Sequence, residues 1–391
     1  MYRNRNNSYR RGRNNFSRNR SKKRDFIDIE KFISQKSDNS EKKDFISKNK
    51  FSDFNISERI KLNLKNKGYI NPTQIQDECI NPILNTKDVV GLAQTGTGKT
   101  AAFLIPLIDK AFRDNNKSII ITPTRELALQ INTEFRSISE GMNLYSCICI
   151  GGVNIQKQIQ RLKNKNDFII GTPGRLKDLY KRGLLDMNNF NTVVLDEVDT
   201  MLDMGFLEDI RFLISKISSH KQSLFFSATL PNKAKEVLKS FVNDPIFVSV
   251  DKRDPSENVS QDIIKVNKDQ NKIEILHDLL IKDEFKKVLI FIKTKRDTEK
   301  LSDTLNKRGF RVQSIHGDKS QYKREKALAQ FKENKVQILV ATDVASRGLD
   351  ISDITHVINF DLPSNYEDYI HRIGRTGRGN KMGKALTFIS T

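Results

Sequence analysis

Residues 88–100 read Asp88-Val89-Val90-Gly91-Leu92-Ala93-Gln94-Thr95-Gly96-Thr97-Gly98-Lys99-Thr100, and this stretch decides the fold. A short apolar run with two valines runs into a loop with glycines at 96 and 98. A helix-period stretch follows from 100 to 112. Strand, glycine loop and helix together make a phosphate cradle. Glycines let backbone N–H groups approach anionic oxygens, and the helix N-terminus adds partial positive charge. Lys99 suits the terminal phosphates of a nucleotide, and the Thr100 hydroxyl suits Mg2+. The usual spacing is G-x-x-x-x-G-K-[ST]; Ala93 stands here at its first glycine.

Working outward, the same texture repeats. Short β-branched runs at 88–93, 118–123, 145–150, 168–172, 192–197, 224–229 and 246–250 alternate with helical stretches such as 100–112 and 124–138. Strands separated by helices imply βαβ units and a parallel sheet. The runs are continuously apolar rather than alternating, as expected for strands buried on both faces. Residues 251–261, DKRDPSENVSQ, are polar, contain Pro255 and break the pattern, so a linker is expected there. The alternation restarts at 262–266, 288–293, 312–315, 337–342, 356–360 and 385–389. The expected organisation is a tail and linker at 1–50, an α/β domain at 51–250, the linker, and a second α/β domain at 262–391.

The run 193–199, Val193-Val194-Leu195-Asp196-Glu197-Val198-Asp199, supplies the partner of the phosphate loop. An apolar strand ending in carboxylates places them at the carboxyl edge of the sheet, where open α/β folds bind ligands. Taken alone, such acids more often cap a helix. Beside a phosphate loop, Asp196 is expected to hold Mg2+ through water, and Glu197 to orient and deprotonate an attacking water.

The chain has 391 residues, with 68 Lys and Arg against 48 Asp and Glu, a formal charge of +20. Such a charge calls for a polyanion, nucleic acid before an anionic membrane surface. No apolar run reaches the length of a bilayer-spanning helix, and a membrane protein is not expected. Three cysteines, Cys79, Cys147 and Cys149, rule out a disulfide-built scaffold and offer no CxxC metal pair. A reducing, cytoplasmic setting is expected. Residues 1–24 hold ten Arg and Lys and no acid, half of the net charge. They have little to bury and are expected to be disordered. Tyr2, Tyr9 and Phe16 among the arginines suit phosphates and stacked bases, though a tail that aids solubility and a transit peptide share the composition.

With these motifs in order, residues 51–391 closely resemble the DEAD-box family of ATP-dependent RNA helicases. The quartet reads Asp196-Glu197-Val198-Asp199, with valine for the family's alanine. The resemblance implies two tandem RecA-like parallel-sheet domains and ATP bound at Ala93, Gln94, Thr95, Gly96, Thr97, Gly98, Lys99 and Thr100. It also implies adenine read by the amide of Gln76, in Gly68-Tyr69-Ile70-Asn71-Pro72-Thr73-Gln74-Ile75-Gln76, and stacked on Phe51. One amide can donate and accept at once, as adenine requires. Thr124, Arg125, Gly152, Thr172 and Arg175, each following an apolar run, match RNA-facing positions, where hydroxyls and helix ends grip a backbone without reading bases. Asp199, Ser227 and Thr229 match the group that couples hydrolysis to RNA.

In the second domain the resemblance makes Thr294, Arg324 and Thr342 RNA-facing and places Asp350 near the ribose. His371-Arg372-Ile373-Gly374-Arg375-Thr376-Gly377-Arg378 matches the arginine-finger motif. Arg375 and Arg378 are implied to reach the γ-phosphate, and His371 to link that region to Asp199 and Thr229. The function implied is RNA-stimulated ATP hydrolysis coupled to local, non-processive unwinding of short RNA duplexes and remodelling of RNA–protein complexes. It would act on RNA without sequence preference, as a cytoplasmic monomer beside ribosome-assembly or RNA-decay proteins. Two rivals remain: an ATP-gated RNA clamp that seldom unwinds, and a DNA translocase on the same plan.

Overall fold

The structure, a computed structural model, describes residues 45–94, 96–217, 221–250, 258–348, 353–377 and 381–390, with 33 and 351. The basic stretch 1–24, residues 251–257 of the expected linker, and Thr95, Asp350 and Arg378 lie outside the described residues.

The first half runs α1 (Glu58–Asn66), α2 (Gln74–Leu84), β1 (Val89–Leu92), α3 (Lys99–Asp114), β2 (Ser118–Ile121), α4 (Arg125–Ile138), β3 (Ser146–Cys149) and α5 (Ile155–Leu162). It continues with β4 (Phe168–Gly171), α6 (Pro173–Lys181), β5 (Thr192–Asp196), α7 (Val198–Asp203), α8 (Leu207–Ile214), β6 (Gln222–Ser227), α9 (Asn232–Phe241) and β7 (Ile246–Ser249). The seven strands form one parallel sheet in the order β3-β4-β2-β5-β6-β1-β7. Its central strands are buried along their length: Ile119, Ile120 and Ile121 of β2 and Val193, Val194 and Leu195 of β5 are wholly covered. Each such side chain contributes about 1.5–3 kcal/mol through burial. Helices cover both faces in two apolar clusters, one around Phe103 and Phe226, the other around Phe225 and Met201.

The second half holds β8 (Val259–Val266), α10 (Lys272–Leu280), β9 (Val288–Phe291), α11 (Lys295–Lys307), β10 (Val312–Ile315), α12 (Gln321–Lys332) and β11 (Ile338–Ala341). Then come α13 (Asp343–Ser346), β12 (His356–Asn359), α14 (Tyr366–Ile373) and β13 (Gly383–Ser390). A second parallel sheet orders them β10-β11-β9-β12-β13-β8. The expected linker ended at 261, whereas the strand pairing with β13 starts at Val259. Its pattern is masked in sequence because β8 is an edge strand with alternate residues exposed. Helix starts follow local chemistry: Thr124, Thr294, Ser320 and Asn365 each accept an N–H of their own first turn.

The two halves meet through side chains. Gln321 and Arg324 of α12 approach Glu126 of α4, at 3.3 and 2.9 Å. Arg347 lies 3.4 Å from Asp203 at the end of α7 while holding Asp368 of its own half at 3.0 Å. Thr124 backs directly onto Gly348, where a Cβ would fall 2.6 Å from the threonine hydroxyl.

Candidate active site and nucleic-acid face

β1, β5 and β6 end side by side, so the loop after β1, Asp196 and Ser227 share one carboxyl edge. The loop is folded on itself. Lys99 Nζ donates to the carbonyls of Ala93 and Gln94, at 2.5 and 3.0 Å, and Thr97 Oγ1 donates to the Gln94 carbonyl. Gly98 begins α3 in the left-handed region, φ 95°, and a Cβ there would collide with the Gln76 amide. Only glycine permits both. The Gln76 amide is engaged at both ends: Oε1 accepts from Thr73 N–H at 3.0 Å, and Nε2 donates to the Gly98 carbonyl at 3.2 Å. Phe51 is buried, with its ring 6.0 Å from that of Tyr69 and stacked at 26°. The structure thus ties Gln76 to the loop through Gly98 at the start of α3, and packs Phe51 against Tyr69.

Asp196 and Glu197 are buried beside the loop, at 2% and 7% exposure. Asp196 Oδ1 has no hydrogen-bond partner. Burial first, then the neighbouring Glu197 charge, pushes the Asp196 carboxyl up to about 7, against the pull of Lys99. Burial likewise raises Glu197, while Lys99 and Arg375 pull it down. Glu197 adopts φ 53°, a left-handed conformation that a glutamate rarely takes. Such strain persists where the surroundings over-determine it, and it clusters at functional sites.

Asp199, three residues after Asp196, is the opposite case. Its Oδ2 accepts from the N–H groups of Ala228 and Thr229 and the Thr229 hydroxyl, at 3.1, 2.8 and 3.0 Å. Its Oδ1 accepts from Thr200 N–H, and its own N–H donates to Ser227 Oγ. The expected Asp199, Ser227 and Thr229 group is therefore one hydrogen-bonded unit. His371, expected to link to Asp199 and Thr229, makes no hydrogen bond to either among the described residues. The Asp199 carboxylate is filled by its own domain. His371 lies within electrostatic reach of Glu197 and Asp203.

α14 and the turn that follows it deliver two buried arginines with different fates. Arg372 donates to both oxygens of Asp343, at 2.5 and 2.8 Å, and to Asn359 Oδ1 and the Asp361 carbonyl. Arg375, one turn on, is 7% exposed and close enough to Glu197 to lower it across the domain boundary. Arg347, Asp203, Asp343 and Arg372 were not singled out in the sequence. The signal for Arg372 was its place in the same octamer as Arg375.

The expected RNA-facing residues sit at strand ends or the first turns of helices. Thr124 caps α4, Thr172 precedes α6, and Thr342 precedes α13. The Arg125 guanidinium lies on Gly152, φ 72°, where any Cβ would overlap it. Burial, then Arg324, lowers the Arg125 guanidinium from its ordinary range, with Arg175 adding to it. Arg175 Nη1 is buried without a partner. Thr294 uses its hydroxyl to cap α11, bonding Asp297. Arg324 was expected to face RNA. It is 8% exposed and its Nε lies 2.9 Å from Glu126 of the opposite domain.

Two family models match, "DEAD/DEAH box helicase" over residues 73–237 and "Helicase conserved C-terminal domain" over 271–380. The chain is 44% identical over 343 residues to the DEAD-box ATP-dependent RNA helicase CshA of Bacillus subtilis, covering 87% of this chain and 69% of that protein. It also resembles a DEAD box protein from Methanococcus jannaschii, at 42% identity and a TM-score of 0.51, covering 87% of this chain and 93% of the other. Against S. cerevisiae Dbp5 bound to RNA and ADP BeF3 the identity is 26% and the TM-score 0.76, with 87% and 89% covered. The chain belongs to the DEAD-box family of ATP-dependent RNA helicases, and its two sheets are the RecA-like domains of that family. No helix among the described residues is long and apolar enough to cross a membrane.

Proposed function

We propose that this protein is an RNA-stimulated ATPase that opens short RNA duplexes locally, with ATP held between its two domains. The observation that carries this is the approach of His371 on α14 and Arg375 just after it to Glu197 on the opposite domain. An acid able to take a proton from water and an arginine able to spread phosphoryl charge thus share one cleft.

In this reading Lys99 leaves its loop carbonyls for the β- and γ-phosphates, and the N–H groups of residues 96–100 cradle them. Phe51 and Gln76 hold adenine, Asp350 the ribose, and Arg378 joins Arg375 at the γ-phosphate. The orphaned, buried Asp196 Oδ1 and the Thr100 hydroxyl fit Mg2+. Among the described residues no group of three or more His, Cys, Asp or Glu could hold a metal alone, so phosphate oxygens and water would complete its shell. Bound there, Mg2+ neutralises phosphate charge. Glu197 orients the water and accepts its proton. The Asp199, Ser227 and Thr229 unit ties this acid edge to the end of β6.

Thr124, Arg125, Gly152, Thr172, Arg175, Thr294, Arg324 and Thr342 hold the RNA backbone along the strand ends of both domains. Arg324 orders Glu126 and, through it, the helix that carries Arg125. ATP and RNA each favour the closed pair of domains, which couples their binding. Bent RNA there disrupts only the base pairs inside the cleft, at about 1.4 kcal/mol per stacked step on the DNA scale. The basic tail adds affinity without sequence preference. Its removal should make the salt dependence of RNA binding shallower by roughly 3–4. A cytoplasmic monomer that assists ribosome assembly or RNA decay fits this activity.

The test is ATP hydrolysis with and without RNA or DNA, followed by a length series of RNA duplexes at fixed enzyme and ATP. RNA-specific stimulation and a steep fall of strand separation with duplex length are expected. Rates independent of length, with strict polarity for a single-stranded extension, would mean translocation and end the local-opening mechanism.

A further inference from the structure

Asp77 follows Gln76 on α2, and its carboxylate serves a distant segment. Oδ2 accepts the backbone N–H of Lys48 at 2.7 Å, and Oδ1 accepts the Asn49 side-chain amide at 2.6 Å. Asp77 is only 6% exposed. The next residue, Lys50, is tied by a turn: its N–H donates to Asp53 Oδ2 at 2.8 Å, and Asp53 N–H donates to the Lys50 carbonyl at 3.0 Å. That backbone hydrogen bond, with one from Ser52, holds the Asp53 carboxyl below its ordinary range. Residues 48, 49 and 50 are thus pinned in succession, and Phe51 is turned inward against Tyr69 and Phe54.

An acid in the first turn of a helix is favoured by the helix dipole. The dipole accounts for an aspartate at 77. It does not account for both oxygens meeting donors 28 and 29 residues upstream. Lys48 and Lys50 are exposed, so the pinned strap has little apolar surface to hold it in place. Two hydrogen bonds to a buried carboxylate are strong enough to do so.

We propose that Asp77 is a positioning residue for adenine recognition, pinning the strap 48–50 so that Phe51 and Gln76 meet one base from two sides. The proposal rests on the assignment of Phe51 and Gln76 to adenine. Two adjacent residues of α2 then hold two walls of one pocket: Gln76 the phosphate loop through Gly98, and Asp77 the strap through Lys48 and Asn49.

The experiment measures RNA-stimulated hydrolysis of ATP and GTP by the full chain and by Asp77→Asn, Asn49→Ala, the double variant and Gln76→Ala. Asp77→Asn places an amide donor against a donor, and the KM for ATP is expected to rise about tenfold, the scale of losing a hydrogen bond to a buried charge. Asn49→Ala lies outside α2, leaves its dipole intact, and should raise KM by a few-fold. The kcat at saturating ATP should hold, the preference for ATP over GTP should fall in both, and the double variant should be less than additive. An unchanged KM and preference in Asn49→Ala and Asp77→Asn, with preference lost in Gln76→Ala, would overturn the clamp alone. Preference unchanged in Gln76→Ala would overturn the adenine assignment and the clamp with it. Should Asp77→Asn fold poorly, Asn49→Ala decides.

Discussion

The carboxyl edges of the two sheets carry the same chemical groups in opposite states. On the first, Asp196 and Glu197 are buried and raised in pKa, against the pull of Lys99 and, for Glu197, of Arg375 and His371 from the other domain. On the second, Asp343 is held by both arms of Arg372, which also satisfies Asn359 and the Asp361 carbonyl. An acid whose partners are all in its own domain holds a shape. An acid left short of cations is an electrostatic vacancy, suited to a cation, a water and a neighbour's arginine. The same contrast separates Asp199, filled by the end of β6, from Asp196, three residues before it.

The sharpest way to break this comparison lies just after α14. Arg375→Ala should lower RNA-stimulated hydrolysis by about 10³-fold or more, the scale of an arginine acting on a transferring phosphoryl group. ATP binding, measured at equilibrium, should survive. Near-normal turnover would mean that the two edges do not act on each other. Glu197→Gln should retain ATP and RNA together in the closed state and slow hydrolysis by roughly 10²–10⁴. Single-turnover kinetics with radiolabelled ATP would report it, and a wild-type rate would remove Glu197 from the chemistry.

Arg372→Ala tests the satisfied edge. It strands Asp343 and should cost about 3–5 kcal/mol, seen as an earlier melting transition of the second domain in calorimetry. A loss of turnover without a loss of stability would erase the distinction from Arg375. The smallest effect belongs to Asp196. Its folded-state value near 7 lies above the ordinary 3.8, so the folded chain binds the proton more tightly than the unfolded one. Stability therefore falls as pH rises from about 4 to 7, and the whole cost stands above 7. Asp196→Asn removes that cost. The nucleotide-free protein should melt at least about 2 °C higher at pH 8, and the gain should shrink as pH approaches 4. A gain independent of pH would mean that Asp196 is ionised and compensated.

Much of this site is legible in the linear chain. The run 88–100 specifies strand, loop and helix because glycine, lysine and threonine at that spacing have few other uses, and Asp196 at the end of an apolar run can only emerge at a sheet edge. The restart of the apolar runs after the polar stretch 251–261 likewise announced a second sheet, though not that Val259 already belongs to it as an edge strand.

Other assignments were beyond a linear reading. Arg324 and Arg375 look alike in sequence, each in a basic run near a helix. The fold gives one to Glu126, in the opposite domain, and points the other towards Glu197. The sequence alone determined which groups stand at strand ends, because that follows from local periodicity and backbone geometry. Only the tertiary structure decided which charges are satisfied and which are left waiting. A charge's state is set by burial and by partners, and both are supplied by segments far apart in the chain, within one domain for Asp199 and Asp343 and across the two for Glu126.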